Sequence, residues 1–313
     1  YMSLDCHCPT NFYKINPEPH NKLLHENITK DYKKAPTTTE NAINQGDKNI
    51  AASLEISDRI DTMAKSESFI TLKDHKPNFR NKPCCRLINP AKSQIGKISK
   101  QILERINTNT KKATQFNQWK NTNDVIKWFS AIDNKVEFSF ICFDIVEFYP
   151  SITEDLLSKA LDFAAKYNKI TDHERHIITH TKTSVLYNCG IPWCKRNINN
   201  FDVTMGSYDG AETCELIGLF ILSQLQNLGM NVGLYRDDGL AICNKSPREI
   251  EQIKQEMCRI FGNNNLRITI EANLKSVDFL DITIDLRTGI HKPFMKPNNR
   301  PLYVHKDLSL IHI

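Results

Sequence analysis

The chain has 313 residues, of which 40% are hydrophobic and 25% are charged, and its formal net charge is +5 at pH 7. A chain of this length can bury a substantial core, and its composition is that of a globular protein rather than of a disordered or fibrous one. No apolar stretch approaches the ~20 residues that a membrane helix needs, and the first residues are not a signal peptide, so the sequence predicts an intracellular protein without membrane contact.

The first part of the chain is predicted to contain an irregular segment, polar helices and one strand. Residues 1–20 show no periodicity, and residues 21–67 favour helices that are interrupted near Pro36, with Thr38 or Thr39 as a cap. Residues 68–74 have the composition of a short strand, which ends at the turn sequence His-Lys-Pro. Residues 1–64 are therefore interpreted as an N-terminal helical extension.

A basic segment follows. Between Arg86 and Lys120 there are eight Lys or Arg residues and one acid, Glu104. Isoleucines at positions 98, 102 and 106 recur every four residues and predict an amphipathic helix over residues 97–111, and residues 119–132 suggest another. This density of positive charge suits contact with nucleic-acid phosphates, although a solvated helix face with a loop explains it equally well.

The second half of the chain alternates strands and helices. The predicted order begins with a buried strand at 138–145, a helix from Thr153, a helix over 172–187 and a polar loop to 200. A glycine-rich turn at 205–210 then leads into an apolar helix over 211–228 and a hairpin. The last predicted elements are a helix over 248–261 with Pro247 at its first position and strands at 266–272 and 277–286, with a turn at Gly289. This order predicts an α+β fold with an antiparallel sheet backed by helices.

The hairpin carries two adjacent carboxylates. Asp237 and Asp238 lie between the apolar runs 232–235 and 240–243, so both are predicted at the bend, where like charges repel unless a cation is present. The Asp-Gly sequence at 238–239 is also a common turn signal that needs no ligand. Asp144 supplies a second acidic position, because it follows an apolar strand in which a carboxylate is costly to bury unless it is paired or bound to a metal.

Six short sequences together resemble the motifs of reverse transcriptases. Three of them, in the order of the palm motifs, are Phe-Asp-Ile-Val-Glu-Phe-Tyr-Pro-Ser-Ile (143–152), Met-Gly-Ser-Tyr-Asp-Gly-Ala-Glu (205–212) and Tyr-Arg-Asp-Asp (235–238). The flanking ones are Leu-Lys-Asp-His-Lys-Pro (72–77), Cys-Arg-Leu-Ile-Asn-Pro (85–90) and Asp-Phe-Leu-Asp-Ile (278–282). The combination is similar to the reverse transcriptases of Penelope-like retroelements, which are related to telomerase, over roughly residues 65–305.

The resemblance implies a two-metal site. Asp144, Asp237 and Asp238 would hold two Mg²⁺ ions, for which Mn²⁺ can substitute, and the Ile145 carbonyl would complete one coordination sphere. By the family pattern Asp237 coordinates the metal directly, whereas Asp238 often does not contact it.

The resemblance also implies substrate contacts. Tyr149 would be the steric gate that favours deoxynucleotides. Lys73 and Arg86 would clamp the triphosphate. Gly206 and Ser207 would let the backbone approach the nucleotide, although Met205 stands where retroviral relatives have Gln. Lys275 lies where such enzymes often carry a lysine that protonates pyrophosphate. The structural alternative is core packing for Tyr149 and solvation at the surface for Lys73, Arg86 and Lys275.

The implied architecture is a right-hand polymerase palm with fingers and a missing or partial thumb. Fingers and the basic helical region would span residues 65–140, the palm 141–290 with a fingers insertion at about 170–204, and the start of a thumb connection 291–313. Residues 308–313 can be encoded by a transposon-end adapter used in sequencing libraries, so we expect the natural protein to continue beyond Asp307 with a different sequence. A C-terminal endonuclease domain of the kind many Penelope-like elements carry would lie outside this chain.

The function implied is RNA-directed DNA synthesis for a retrotransposon, with an RNA template, a DNA primer and dNTPs as partners and the nucleus as the location. Two alternatives remain open from the residues. One is an RNA-directed RNA polymerase, against which Tyr149 argues. The other is a catalytically silent palm that only binds RNA, against which Asp144, Asp237 and Asp238 argue.

Overall fold

The structure is a computed structural model that describes residues 16–59, 66–73, 79, 81, 83–90, 93–196 and 200–294, together with the backbone of two short strands near the N-terminus. Its helices are α1 (Pro17–Asp31), α2 (Thr37–Ser53), α3 (Gln94–Thr114), α4 (Thr122–Ser130), α5 (Phe148–Ser151), α6 (Glu154–Ala164), α7 (Asp172–His180), α8 (Gly210–Leu225) and α9 (Pro247–Asn263).

The strands begin with the two short N-terminal ones. They are β1 (Met2–Ser3), β2 (Tyr13–Lys14), β3 (Tyr32–Lys34), β4 (Phe69–Leu72), β5 (Cys85–Ile88), β6 (Asn117–Gln118), β7 (Ser139–Ile145), β8 (Leu186–Asn188), β9 (Ile191–Lys195), β10 (Asn231–Tyr235), β11 (Asp238–Cys243), β12 (Ile268–Leu274), β13 (Ser276–Phe279), β14 (Ile282–Asp285) and β15 (Ile290–Pro293). Within the described part of the chain, no helix is long and apolar enough to cross a membrane.

The chain divides into two compact units. The smaller one comprises Tyr1–Asp31, Phe69–Ile88 and Met295–Ile313, and among its described residues β4 and β5 form an antiparallel hairpin. The larger one comprises Tyr32–Ser68 and Asn89–Phe294. It contains the five-stranded sheet and the helices α2 to α9, and therefore the predicted carboxylate residues.

The sheet of the larger unit has the strand order β12-β7-β11-β10-β6. Its strands are antiparallel, except that β6 runs parallel to β10. Successive side chains of β7 point to opposite faces, so Ile141, Phe143 and Ile145 join one core with α6, α8 and α9. Phe140 joins the second core with α4, β13 and β14. Burial on both faces holds β7 and β11 in a single register, since a one-residue slip would exchange the two cores.

The structure confirms the mixed helix-and-sheet class and several local signals. Thr153 caps α6 by accepting a hydrogen bond from the Leu156 amide. Ser246 caps α9, and Pro247 is the first residue of that helix. Gly289 has a φ of +69°, which fits the predicted turn. The predictions held where a capping side chain or a turn glycine fixed the local geometry.

Several predicted elements differ from the structure. Helix α7 ends at His180 instead of residue 187, because residues 186–188 form β8 and pair with β9 in a region predicted as a loop. The predicted strand 277–286 is a hairpin of β13 and β14, with Leu280 at a φ of +54° in its turn. Pro36, rather than Thr38 or Thr39, is the residue before α2. In each case, pairing or backbone geometry outweighed side-chain periodicity.

Helix α3 exists as predicted, but it is longer and rotated. It begins after Ser93, whose side chain accepts a hydrogen bond from the Gly96 amide. Its buried face is formed by Ile95, Ser99, Leu103, Ile106, Asn107 and Thr110, whereas Ile98 and Ile102 are half-buried at its edge. The isoleucine spacing predicted the wrong buried face because several side chains on the true buried face are polar.

Candidate active site

The hairpin that carries the two adjacent carboxylates is formed by β10 and β11, and its turn is not at the Asp-Gly sequence. Tyr235 pairs with Asp238, so the turn residues are Arg236 and Asp237. Arg236 has a φ of +53°, a left-handed conformation that is uncommon for a residue other than glycine. Asp237 therefore lies in the bend, whereas Asp238 is the first residue of β11.

Gly239 lies in β11, and its lack of a side chain serves close packing of the two strands. Gly239 and Phe143 are paired across β11 and β7. A Cβ atom at position 239 would lie only 2.0 Å from Phe143 Cζ, because the ring covers this position. The glycine thus allows Phe143 to lie against β11, and the same strand pairing sets Asp238 beside Asp144.

Asp144 and Asp238 lie directly opposite each other on β7 and β11. Opposite residues on antiparallel strands have Cβ atoms about 4.5–5.5 Å apart, and like charges in such pairs are destabilising. The Ile145 amide donates a hydrogen bond of 2.9 Å to the Asp237 carbonyl, which fixes the backbone of the bend to the end of β7. The carboxylates of Asp144 and Asp238 therefore lie side by side at one end of the sheet, and Asp237 lies in the adjoining bend.

The thiol of Cys142 responds to these carboxylates. Burial, together with the negative charges of Asp238, Glu271 and Asp144, raises the pKa of Cys142 to about 11. Glu271 pairs with Cys142 from β12, so the two side chains share the face of the sheet that also carries Asp144. Glu271 is thus a further carboxylate beside the candidate site that the sequence analysis did not identify.

Tyr149 lies next to the carboxylate end of the sheet, on the short helix α5. Its side chain interacts with the buried thiol of Cys214. Burial raises the pKa of Tyr149 well above its ordinary value; Cys214 and Asp237 add to this effect, and Arg236 opposes it. Tyr149 therefore interacts electrostatically with the two residues of the hairpin bend, Arg236 and Asp237.

The glycine-rich turn approaches the same tyrosine. Gly206 has a φ of +105°, a conformation that favours glycine. Ser207 Oγ donates a hydrogen bond of 3.0 Å to the Thr204 carbonyl. A Cβ atom at Gly210 would lie 3.4 Å from the Tyr149 ring, so the end of the turn lies against Tyr149. The structure thus brings together Asp144, Asp237, Asp238, Tyr149 and the turn that contains Gly206 and Ser207.

The predicted triphosphate-binding cations belong to the smaller unit. Lys73 follows β4, and its amide donates a 2.8 Å hydrogen bond to the Cys84 carbonyl. Arg86 lies in β5 opposite Thr71. Both side chains are half-buried. The turn residues 74–78 between these strands lie outside the described residues, and the roles of Lys73 and Arg86 stay predictions.

Lys275 is not brought to the carboxylates. It follows β12, whose residue Leu274 pairs with Phe140 near the start of β7, whereas Asp144 lies near the end of that strand. Its Nζ donates hydrogen bonds to the carbonyls of Val136, at 3.0 Å, and Phe138. In this structure Lys275 secures the segment that leads into β7, away from Asp144. Its role as a proton donor to pyrophosphate stays a prediction.

Part of the basic segment is neutralised by acids. Lys100 Nζ lies 3.4 Å from Glu212, and Arg105 lies 2.6 Å from Glu174. Lys97 is exposed instead, with its ammonium group 5.5 Å from the centre of the Tyr208 ring in the glycine-rich turn. The charge that remains available for a phosphate backbone is therefore smaller than the count of eight basic residues implies.

The donor set can be compared with the needs of a magnesium ion. Among the residues that the structure describes, no three or more His, Cys, Asp or Glu side chains form a group that could hold a metal by themselves. Mg²⁺ is commonly held by one or two carboxylates, while waters and substrate phosphates complete its octahedral shell. The opposed Asp144 and Asp238, with Asp237 in the adjoining bend, fit an open site of that kind.

Two buried residues near the glycine-rich turn were also missed. Lys182 and Asp209 form an ion pair of 2.5 Å in which each side chain is only 1% exposed. Asp209 belongs to the turn sequence, and its position beside glycines could have marked it. Lys182 resembles any solvated lysine in the sequence, and only the tertiary structure shows that it is buried.

Two comparisons of the sequence with known proteins found no match. No protein-family model matches it, and no curated protein matches it significantly. Solved structures do match. Apo telomerase from Candida tropicalis, truncated from its C-terminal domain, is similar with a TM-score of 0.64 and 10% sequence identity, over 93% of this chain and 63% of that one.

Two further solved structures are similar. Telomerase from Candida albicans, in complex with a TWJ fragment of telomeric RNA, has a TM-score of 0.60 and 10% identity over 92% of this chain and 50% of that one. The RNA-dependent RNA polymerase of a human picobirnavirus has a TM-score of 0.55 and 11% identity over 90% of this chain and 65% of that one. The chain therefore has a fold similar to those of nucleic-acid polymerases, and it spans less than two thirds of the length of these proteins.

Proposed function

We propose that this chain is an RNA-directed DNA polymerase, the reverse transcriptase of a Penelope-like retroelement that acts in the nucleus. The single observation that carries the proposal is the opposed pair Asp144 and Asp238, with Asp237 in the adjoining bend, at one end of the sheet. The sequence motifs and the polymerase-like fold support it. The reaction is the attack of a primer 3′-hydroxyl on the α-phosphate of a dNTP, which releases pyrophosphate and lengthens the primer by one nucleotide.

In this proposal the chain's residues bind and orient the reactants. Asp144, Asp237 and Asp238 hold two Mg²⁺ ions, together with the Ile145 carbonyl. When bound, Mg²⁺ stabilises the charge on the attacking and leaving oxygens of such a displacement. Lys73 and Arg86 neutralise the triphosphate, and fixed positioning of the primer terminus and nucleotide lowers the entropic part of the barrier.

Tyr149 selects the sugar in this proposal. Two observations support this role: Tyr149 interacts electrostatically with Asp237, and its ring lies 3.4 Å from where a Cβ atom added to Gly210 would be. A 2′-hydroxyl on the incoming nucleotide would collide with the ring, whereas a deoxyribose would pass. Gly206 and Ser207 leave room for the nucleotide on the other side because a glycine backbone tolerates close contact.

Primer extension tests the proposal. The chain is incubated with a primed RNA template, dNTPs and Mg²⁺ or Mn²⁺, and is compared with Asp237→Asn and with the control Asp155→Asn. Asp155 lies on α6 with its side chain 64% exposed. We expect extension by the original chain and by the control, and its loss in Asp237→Asn. Equal extension by all three would contradict the site.

The second candidate is an RNA-directed RNA polymerase, which the similarity to the picobirnavirus enzyme favours. Extension with rNTPs in preference to dNTPs would support it. The third candidate is a silent palm that binds RNA, which the telomerase–RNA complex among the similar structures makes relevant. Tight RNA binding without synthesis, together with equal folding stability in the presence and absence of Mg²⁺, would support that one.

A further inference from the structure

The glycine-rich turn is tied to the helices below it by a buried ion pair. Lys182 Nζ lies 2.5 Å from Asp209 Oδ2, and both side chains are 1% exposed. Lys182 follows α7 by two residues, and its carbonyl accepts a 2.7 Å hydrogen bond from the Asp202 amide. The lysine is therefore held from its backbone as well as through its charge.

The same carboxylate oxygen of Asp209 accepts two further hydrogen bonds. One comes from Thr181 Oγ1 at 2.8 Å, and the other comes from the hydroxyl of Ser99 on α3. The Asp209 carbonyl in turn accepts a 2.8 Å hydrogen bond from Thr213 Oγ1 in the first turn of α8. Asp209 thus joins α3, the end of α7 and the start of α8 at one point.

The other end of the turn is fixed separately. The Met205 carbonyl accepts a 2.9 Å hydrogen bond from the amide of Asn89, and the Asn89 side chain donates at 3.2 Å to the Val185 carbonyl. The turn over residues 205–209 is therefore held at both ends, at Met205 and at Asp209. The Asp209 end of the turn is followed directly by Gly210, where an added Cβ atom would lie 3.4 Å from the Tyr149 ring.

Lys182 also acts electrostatically on Cys214, which lies beside Tyr149. Cys214 lies one helical turn after Gly210, and its buried thiol interacts with the side chain of Tyr149. Burial and Asp237 raise the pKa of Cys214 well above its ordinary value, while Lys182 acts in the opposite direction. The Lys182 ammonium group is therefore close enough to Cys214 to interact with it electrostatically.

A buried ion pair is a poor way to gain stability, because desolvation of the two charges offsets most of their attraction. From this geometry we infer that Lys182 and Asp209 are positioning residues: their ion pair holds the glycine-rich turn against Tyr149 and so sets how strictly the site discriminates deoxyribose from ribose. This inference rests on the proposed function. It assigns sugar selectivity to two residues that do not touch the nucleotide.

The test compares Asp209→Asn, Lys182→Met and the double variant with the original chain. The matched control is Asp47→Asn on α2, which removes a carboxylate that lies 2.7 Å from His180, the last residue of α7, two positions before Lys182. Three quantities are measured: urea unfolding, amide hydrogen exchange of residues 205–213, and the equilibrium affinities for dATP and ATP with Mg²⁺. None of them requires polymerisation.

We expect each single variant to raise exchange in residues 205–213 by about tenfold, as for a segment that has lost an anchor. We also expect the preference for dATP over ATP to fall by roughly tenfold. The double variant regains the unfolding midpoint, because no charge is left uncompensated, but it does not regain the sugar preference. Asp47→Asn changes neither the exchange nor the preference.

Unchanged exchange and sugar preference in both single variants would overturn the inference. So would equal changes in Asp47→Asn, or a double variant that regains the sugar preference together with its stability, because the pair would then act on folding alone. An original chain that prefers dATP but extends no primer would defeat the proposed function and leave the inference standing. An original chain that binds neither nucleotide would overturn the inference.

Discussion

Gly239 is the residue on which the closeness of the two carboxylate strands most directly depends. Its hypothetical Cβ would lie 2.0 Å from Phe143 Cζ, in a buried position between two paired strands. We expect Gly239→Ala to lower the free energy of unfolding by about 1–3 kcal/mol, as for other overpacked sites. Gly262→Ala on α9 is the control, because an added Cβ there would meet nothing within 4 Å apart from its chain neighbours and the backbone of its own helix. Urea unfolding measures both, and equal stability of Gly239→Ala and the original chain would contradict the packing argument.

Tyr149 carries the second prediction at the residue scale. If its ring excludes the 2′-hydroxyl, Tyr149→Ala will admit ribonucleotides and reduce the dNTP-to-rNTP ratio of kcat/KM by roughly tenfold or more. Tyr149→Phe keeps the ring and loses only the hydroxyl group, so most of the discrimination should remain. Unchanged sugar discrimination in Tyr149→Ala would defeat the assignment of the gate.

Helix α7 carries the prediction at the scale of an element. Its N-cap is a reciprocal pair: the Thr171 amide donates to Glu174 Oε2 at 2.9 Å, and the Glu174 amide donates to Thr171 Oγ1 at 3.2 Å. Burial of the Glu174 carboxyl would raise its pKa, but hydrogen bonds from Thr171 and the adjacent Arg105 guanidinium outweigh burial and lower the pKa. The ionised carboxylate therefore stabilises the helix start.

The sign of the pH effect follows from that lowered pKa. The pKa of a glutamate in the unfolded chain is about 4.3, so Glu174 contributes stability above this pH and loses it as the pH falls through the lower folded value. We expect Glu174→Gln to have a flatter decline of unfolding free energy than the original chain between about pH 5 and pH 3. Urea unfolding at pH 7, 5, 4 and 3 tests this. Parallel pH profiles for Glu174→Gln and the original chain would show that protonation of Glu174 does not contribute to the pH dependence of stability.

The elements also show what the sequence could predict. Helices α6 and α9 were foreseen because Thr153 and Ser246 cap them through local hydrogen bonds. Strands β8 and β9 were not foreseen, because their partners include β3, which is more than 150 positions from β9 along the chain. The carboxylates Asp144 and Asp237 were found from short motifs. Lys182 was not, because a buried lysine has no local signature.

At the scale of the whole molecule, positive charge is spread unevenly and is partly compensated. The net charge is +5, but Lys100 and Arg105 in α3 are engaged by Glu212 and Glu174. Lys97 on the same helix is exposed over Tyr208. A polymerase that leaves base recognition to its template gains affinity mainly from phosphate contacts. Each such contact releases a counterion and steepens the dependence of binding on salt.

The last prediction uses this difference between neighbouring lysines. We expect the affinity for a primed RNA template to fall steeply with salt, and Lys97→Ala to reduce the slope of log K against log salt by about 0.7–0.9, the value for one phosphate contact. Lys100→Ala is the matched control on the same helix, and it should change the slope less, because Glu212 already balances Lys100. Fluorescence anisotropy at 50–300 mM salt, about the range over which phosphate contacts dominate binding, measures the slopes. Equal slopes for Lys97→Ala and the original chain would show that nucleic acid does not follow this face of α3, and the phosphate path would then have to be sought near Lys73, which follows β4, and Arg86 in β5.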